Sequence, residues 1–216
     1  MDNCYMCNKP KTSVEHAPPK SFFPKDHRVN LITVPSCISH NENTSSDDEY
    51  ARNIITVSIN NNQKSIDQFF SKSLKSFKRN KESTNKIVNS FINADEITVG
   101  AKAFRFDRAR FDRVIRKIAY ALYYSEYGKT WNRLLAVLSN QIKNADLTND
   151  SFGDMFDEMS DDLNSLPLKG ENPQIFQYSI IKFDSDENDI AIFMIFYEGF
   201  PMLVIPDRNS GNNSFD

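Results

Sequence analysis

Two pairs of metal-binding residue types lie in the N-terminal part of this chain. The first is a Cys-x2-Cys pair and the second is a Cys-x2-His pair, and together they consist of Cys4, Cys7, Cys37 and His40. All three cysteines of the 216-residue chain belong to these pairs. Nitrogen and sulfur ligands in a two-plus-two arrangement suit tetrahedral zinc, whose structural sites are closed by Cys and His. The spacing therefore predicts a structural Zn²⁺ site that folds a small module.

A carboxylate, a histidine and an amide accompany the predicted zinc ligands. Glu15 and His16 lie between the two pairs, and Asn41 follows the last ligand directly. Hydrolysis of a phosphodiester needs a base, a cation and in-line positioning. A histidine that titrates near neutrality can be the base. A divalent ion held by carboxylate and amide oxygens can be the cation, and such hard ligands favour Mg²⁺ or Mn²⁺ over zinc.

These residues admit two interpretations. In the first, they form a nuclease active site that the zinc ligands bracket. In the second, the zinc only folds a small module, and His16 is an ordinary loop residue. Lys20 and Arg28 flank the site and could hold phosphates, although exposed loop cations are common.

Composition limits the class of protein and its surroundings. Apolar residues make up 39% of the chain, which is enough to bury a core. No apolar run approaches the roughly 18 residues that a membrane span needs, so we expect no membrane association. The N-terminus lacks a basic segment followed by an apolar one, as a signal peptide would have. An odd number of cysteines argues against a disulfide framework, and thiolate zinc ligation fits a reducing cytoplasm.

Charge is distributed unevenly along the chain. Residues 1–145 carry 23 basic and 14 acidic side chains, whereas residues 146–216 carry 3 and 15. The basic part can attract a phosphate backbone, so we expect DNA to bind there. The acidic part would repel DNA, and it is either a solvated surface or the contact site for a protein partner.

Hydrophobic patterning predicts an α+β protein. We expect a zinc module over residues 1–60, with short strands entering Glu15 and covering 29–34. The helix that follows has two predicted starts. Ser46 and Glu49 make a capping box that would start it near Asp47. A start near His40 would instead place Asn41, Ser45 and Asp48 on one face.

Residues 61–216 are predicted to form an accessory domain. Its pattern is helical over 65–92, most strongly helical over 104–127, and helical again over 131–138. An acidic loop or marginal helix is expected over 144–173. Three segments, 176–183, 190–197 and 202–205, alternate or run apolar and are rich in β-branched and aromatic residues, which predicts a C-terminal antiparallel β-meander.

The N-terminal motifs resemble those of HNH (His-Me finger, ββα-metal) endonucleases. The resemblance covers roughly a quarter of the chain and rests on CYMC at 4–7, EHAPPK at 15–20, NLITVPSCISHN at 30–41 and SSDDEY at 45–50. More loosely, the helix FDRVIRKIAYALYY at 111–124 and the C-terminal strands are similar to those of some bacterial HNH proteins. The resemblance implies an N-terminal ββα-metal zinc module followed by a helical region and the meander.

The resemblance also implies roles for single residues. His16 corresponds to the general base, and Asn30 to the Asn that fixes the loop of the base. Glu15 and Asn41 correspond to ligands of the catalytic Mg²⁺ or Mn²⁺. Two positions depart from the family: the fourth zinc ligand is usually Cys and is here His40, and the metal position is Asn41 rather than His.

Three classes of function are compatible with the sequence. The first is a metal-dependent DNA endonuclease. The second is a non-catalytic zinc-knuckle module that binds nucleic acid or protein, and the third is the nuclease subunit of a larger complex, such as one in phage defence. The joint presence of Glu15, His16 and Asn41 favours the first, because a binding module has no need for this trio.

Overall fold

The fold is α+β, as predicted, and its largest element is a five-stranded antiparallel sheet. The structure is a computed structural model, and it describes residues 3–7, 9–58, 60–79, 85, 91–93, 102–142, 156–183 and 189–207. The strands are β1 (Ser13–Ala17), β2 (Ile32–Ser36), β3 (Phe91–Asn93), β4 (Lys102–Phe104), β5 (Leu135–Leu138), β6 (Lys169–Asn172), β7 (Phe176–Lys182), β8 (Ile190–Phe196) and β9 (Phe200–Pro206). The helices are α1 (Ser45–Thr56), α2 (Gln63–Gln68), α3 (Leu74–Arg79), α4 (Arg108–Tyr127) and α5 (Ser160–Asn164).

An antiparallel hairpin and a helix make up the N-terminal part. Strand β1 pairs with β2 in a register that places Glu15 opposite Val34 and His16 opposite Thr33. Two 3-10 turns, Ile38–His40 and Glu42–Thr44, then lead into α1 at Ser45. The observed start lies between the two predicted starts. The residue that precedes it, Thr44, makes no side-chain cap.

Helix α4 is the central element of the fold. It begins at an N-cap, Asp107, whose side chain accepts a hydrogen bond from the Arg110 backbone N–H. It ends at Gly128, which has a left-handed φ of 68° that glycine adopts at little cost. Helix α4 contacts the hairpin, α1 and the sheet. One cluster of buried side chains runs through all of them and includes Ala17, Val34, Ala51, Ile55, Ile115, Ile118, Leu122, Ile192 and Met202.

The predicted meander is confirmed as β7, β8 and β9, and the sheet is completed at its two edges in the order β5-β9-β8-β7-β6. A second buried cluster covers its other face and contains Leu138, Phe156, Leu163, Ala191, Phe193 and Leu203. Strand β8 is therefore buried on both sides, which explains its continuous run of apolar residues.

Several sequence expectations need correction. The helix predicted over 131–138 is wrong: residues 131–134 are irregular, and Leu135–Leu138 pair with β9 as an edge strand. The strand predicted over 29–34 lies at Ile32–Ser36. The predicted helix over 65–92 contains a π-helical turn, Phe69–Ser73, and its end at Phe91–Asn93 is a strand. Its stretch over 80–90 lies outside the described residues apart from residue 85, as does the predicted acidic segment up to residue 155.

The boundary predicted near residue 60 stays a prediction. Residues on both sides of it contribute to the same buried cluster, so the two predicted parts share one core. Among the described helices, none has the length and apolar character that crossing a membrane requires.

Candidate metal centre and the adjoining hairpin

The four predicted zinc ligands come together at one end of the hairpin. Their ligand atoms all lie within 4.8 Å of one another. His40 Nδ1 lies 3.3 Å from Cys4 Sγ, 3.5 Å from Cys7 Sγ and 3.4 Å from Cys37 Sγ, and the Sγ atoms of Cys7 and Cys37 are 3.9 Å apart. A tetrahedral zinc ion with ordinary bond lengths requires separations of about 3.8 Å between sulfurs and about 3.5 Å between sulfur and nitrogen. The cluster could therefore bind a metal such as zinc.

Two tight turns aim these side chains at one point. The Cys7 N–H donates to the Cys4 carbonyl, and the His40 N–H donates to the Cys37 carbonyl. Each turn places residues i and i+3 on the same side of the backbone. The first turn is joined to the hairpin by a hydrogen bond from the Tyr5 N–H to the Pro35 carbonyl, 2.8 Å long.

Burial affects the protonation of the metal ligands. It raises the pKa of the Cys7 thiol to about 11, so a bound metal must displace that proton. Burial lowers the pKa of His40, and the nearby positive charges of Lys9 and Lys117 lower it further. The His40 imidazole is thereby held in the neutral form that coordinates metals.

Glu15 and His16 point to opposite faces of the hairpin, because successive side chains of a strand alternate. Glu15 is 3% exposed and faces the interior. His16 is half-buried on the outer face. The contact between the two residues is a hydrogen bond in which the His16 backbone N–H donates to the side-chain oxygen Glu15 Oε1 over 3.1 Å.

The outer face around His16 is positively charged. Burial lowers the pKa of His16, and the positive charges of Lys20 and Arg28 lower it further. Both cations are exposed and lie on the segment between β1 and β2. The imidazole is consequently neutral at neutral pH, as a general base must be.

Lys72 extends this positive region from another part of the fold. Its ammonium donates to the carbonyls of Ser21 and Phe23, at 3.3 and 3.0 Å. Its pKa is lowered to about 8, first by burial and then by the nearby positive charges of Arg28, Arg52 and Lys25. We call Lys20, Lys25, Arg28 and Lys72 the basic loop cluster. Its members reinforce one another's positive potential, which favours binding of an anion.

The inner face around Glu15 contains a buried ionic cluster. The Lys117 ammonium on α4 lies 2.6 Å from Asp48 Oδ1 and 3.5 Å from Glu15 Oε2, and it donates to Thr44 Oγ1 over 2.9 Å. The exposed fractions of Glu15, Asp48 and Lys117 are 3%, 6% and 5%. Burial raises the pKa of Glu15, the positive charge of Lys117 opposes that rise, and the negative charge of Asp48 adds to it.

Asn41 lies between the two 3-10 turns and braces the start of β1. Its Nδ2 donates to Ser13 Oγ and to the Val14 carbonyl, at 3.1 and 3.0 Å. The Glu15 carboxylate instead engages the His16 N–H and Lys117. The Asn41 contacts use its Nδ2 and not the Oδ1 that would bind a metal, so they do not decide whether the two residues share a divalent ion. The positive charge of Lys117 beside Glu15 is the feature that does not fit such an ion, and the shared site stays a prediction.

Asn30 is placed in the loop that precedes β2. It has a left-handed φ of 51°, a conformation for which Asn is favoured among non-glycine residues. It makes no hydrogen bond with the part of the chain that the structure describes. Its predicted role in fixing the loop that carries the base stays a prediction.

Lys117 is the residue of this site that sequence reasoning missed. The signal was weak, because helical spacing places Lys117 at the flank of the apolar stripe of α4, one turn after Val114, although the structure buries it. A lysine on the buried side of a helix requires a partner, since an unpaired buried charge is costly. The sequence alone does not identify that partner.

Searches of this chain against models of protein families, against curated proteins and against solved structures found no match.

Proposed function

We propose that this protein is an HNH-type (His-Me finger, ββα-metal) endonuclease that hydrolyses phosphodiester bonds in DNA, with His16 as the general base. One observation carries the proposal: a half-buried histidine lies on the outer face of the hairpin beside Lys20 and Arg28, and burial and these two cations lower its pKa. The order of β1, β2 and α1, with four potential zinc ligands at the end of the hairpin, further supports this class.

The chemistry assigned to these residues is the activation of water. The His16 imidazole accepts a proton from a water molecule, and the water oxygen attacks phosphorus. The bond from phosphorus to the leaving oxygen breaks, and solvent protonates that oxygen. Cations on the same face stabilise the negative charge that accumulates on the phosphoryl oxygens. Lys20 and Arg28 are the groups available for this role.

The resemblance also implies Mg²⁺ or Mn²⁺ at Glu15 and Asn41, where a divalent ion would supply positive charge to the phosphoryl group. The ammonium of Lys117, 3.5 Å from the Glu15 carboxylate, does not fit that ion, whereas the Asn41 contacts use Nδ2 and leave its metal-binding oxygen uncommitted. We therefore assign no step of the reaction to it.

The basic loop cluster is the best candidate for contact with DNA. The arginines of α4 are less suited, because Arg108 pairs with Asp112 and Arg110 pairs with Asp47, at 2.7 and 2.6 Å. These ion pairs neutralise cations that would otherwise attract a phosphate backbone. That residues 146–216 contact a protein partner stays a prediction.

Plasmid cleavage by a matched pair of histidine variants tests the proposal. We expect His16→Ala to lower the cleavage rate by about 10²–10⁴-fold, the usual effect of removing a general base. Its zinc content and melting temperature should stay near the wild-type values. His27→Ala is the control, since His27 lies on the same loop and its imidazole lies 3.6 Å from the Asp26 carboxylate. Equal cleavage by wild type and His16→Ala would contradict the assignment.

A second candidate is a zinc-knuckle module that binds nucleic acid without cleaving it. The buried pairing of Glu15 with Lys117 favours it, because a carboxylate committed to an internal ion pair is not free to act on a substrate. Wild-type protein that binds DNA in a salt-dependent way but leaves it intact, with and without Mg²⁺ or Mn²⁺, would support this candidate instead.

A further inference from the structure

The strongest unassigned feature of the molecule is the ionic cluster between the hairpin, α1 and α4. The ammonium of Lys117 has three N–H donors, and three oxygens surround it, from Asp48, Thr44 and Glu15. The three charged side chains of this cluster are each less than a tenth exposed. The cation is therefore enclosed by protein oxygens.

We propose that the Lys117 ammonium is the resident cation of the Glu15 site, and that it stands where the HNH resemblance predicts a divalent metal ion. Glu15 is then an ion-pair partner and not a metal ligand. The inference goes beyond the proposed function, because it concerns which cation this site holds, whether or not the chain cleaves DNA.

Two physical arguments support this assignment. A divalent ion bound to Glu15 would lie beside the Lys117 ammonium, which is itself 3.5 Å from the carboxylate. Like charges that close repel strongly in a buried site, where water cannot screen them. The second argument is that Asp48 Oδ1 already accepts a short hydrogen bond from Lys117, 2.6 Å long. Glu15 Oε2 is buried and accepts no hydrogen bond within the described residues, so the ammonium is the charge that compensates it.

The same contacts give Lys117 a positioning role. Its charge holds the Glu15 carboxylate, whose other oxygen accepts the His16 backbone N–H. Lys117 thus links α4 to the strand that carries the proposed base. It reaches α1 through Asp48 and the adjoining turn through Thr44.

Removal of the lysine should convert the cluster into a metal site. Lys117→Met leaves two buried carboxylates without a counter-ion, which lowers the melting temperature of the zinc-loaded protein. Mn²⁺ should then bind between them. At a Mn²⁺ concentration 100 times the Kd, we expect the melting temperature of this variant to rise by roughly 5–10 °C. The wild-type protein should show no such rise.

A surface lysine supplies the matched control. Lys169 pairs with Glu126 at 2.9 Å, but the lysine side chain is about half exposed. Lys169→Met should change neither the melting temperature nor the response to Mn²⁺ appreciably. A rise of the same size in this variant would mean that Mn²⁺ acts at exposed carboxylates, and it would overturn the proposal.

A second variant covers the case in which Lys117→Met does not fold. The double variant Lys117→Met with Glu15→Gln removes one of the unpaired charges, so it should regain part of the melting temperature and lose the response to Mn²⁺. Direct binding to wild type is the decisive measurement. If electron paramagnetic resonance finds one Mn²⁺ bound per zinc-loaded wild-type chain, and Glu15→Gln abolishes that binding, the resident cation is a metal and the proposal is wrong.

This test is separable from the proposed function. Metal binding and melting temperature are measured without a nucleic acid, so a chain that proves unable to cleave DNA can still confirm or refute the role of Lys117.

Discussion

Replacement of one zinc ligand should unfold the N-terminal turn and leave the main fold in place. Cys37→Ser removes a thiol from a cluster whose four ligand atoms all lie within 4.8 Å of one another. We expect the variant to lose zinc, and the segment before β1 to detach from the hairpin. Helix α4 and the five-stranded sheet belong to a core that extends far from the cluster, so they should persist.

The expected size of the effect follows from what else holds that segment. Without zinc, its main anchors are the buried Tyr5 side chain and the hydrogen bonds from the Tyr5 N–H to the Pro35 carbonyl and from the Thr12 N–H to the Ser36 carbonyl. These anchors contribute about 4 kcal/mol. Fixing roughly eight residues costs about 12 kcal/mol of conformational entropy. The difference is close to the ~10 kcal/mol that structural zinc supplies in small modules.

Hydrogen exchange is the appropriate assay, together with elemental analysis for zinc. The Tyr5 amide should lose its protection in Cys37→Ser, whereas amides of α4 keep theirs. His40→Cys is the matched variant, because it retains four ligands and should retain one zinc per chain. A zinc-free Cys37→Ser protein in which the Tyr5 amide stays fully protected would show that packing alone orders the turn, and would refute the reasoning.

Two further predictions concern the base and the packing of a turn. Because burial, Lys20 and Arg28 all lower the pKa of His16, cleavage should persist as the pH falls below the ordinary histidine value of 6.5, and the midpoint of its loss in the pH–rate profile should lie at lower pH. The double variant Lys20→Gln with Arg28→Gln should move that midpoint upward. An unmoved midpoint would mean that another group titrates. Gly199→Ala would push a methyl group into the backbone of Asn60, so it should cost about 1–3 kcal/mol and lower the melting temperature. The control is Gly128→Ala, whose added methyl group contacts no atom and which incurs only the strain of a positive φ. A smaller fall in melting temperature for Gly199→Ala than for Gly128→Ala would contradict the predicted clash with Asn60.

Local patterns in the sequence were sufficient for the parts of the fold that depend on neighbouring residues. The ligand spacing predicted the cluster of Cys4, Cys7, Cys37 and His40, because each pair needs only one tight turn. The helical pattern over 104–127 predicted α4, which begins later, at Arg108, since helical periodicity is a local signal. The meander was predicted for the same reason, as its strands are joined by short connections.

Long-range pairing decided what local patterns left open. Leu135–Leu138 resembles a helix by spacing, but it becomes an edge strand because β9 offers it an unpaired backbone. The shift of the second strand to Ile32–Ser36 follows from its register with β1, which buries Val34 opposite Glu15. Neither outcome can be obtained from a window of a few residues, because the partner strand lies elsewhere in the chain.

The sequence by itself identified residues whose types suit metal binding and acid–base chemistry, namely four potential zinc ligands and a glutamate beside a histidine. Only the tertiary structure decided what each residue faces. Strand alternation sends Glu15 inward and His16 outward, so the adjacent pair serves two different surfaces. On the inner surface, Lys117 of α4, which is distant in the sequence, forms an ion pair with Glu15. A buried charge must be compensated by whatever the fold brings within a few ångströms, and that neighbour is a property of the folded chain rather than of the motif.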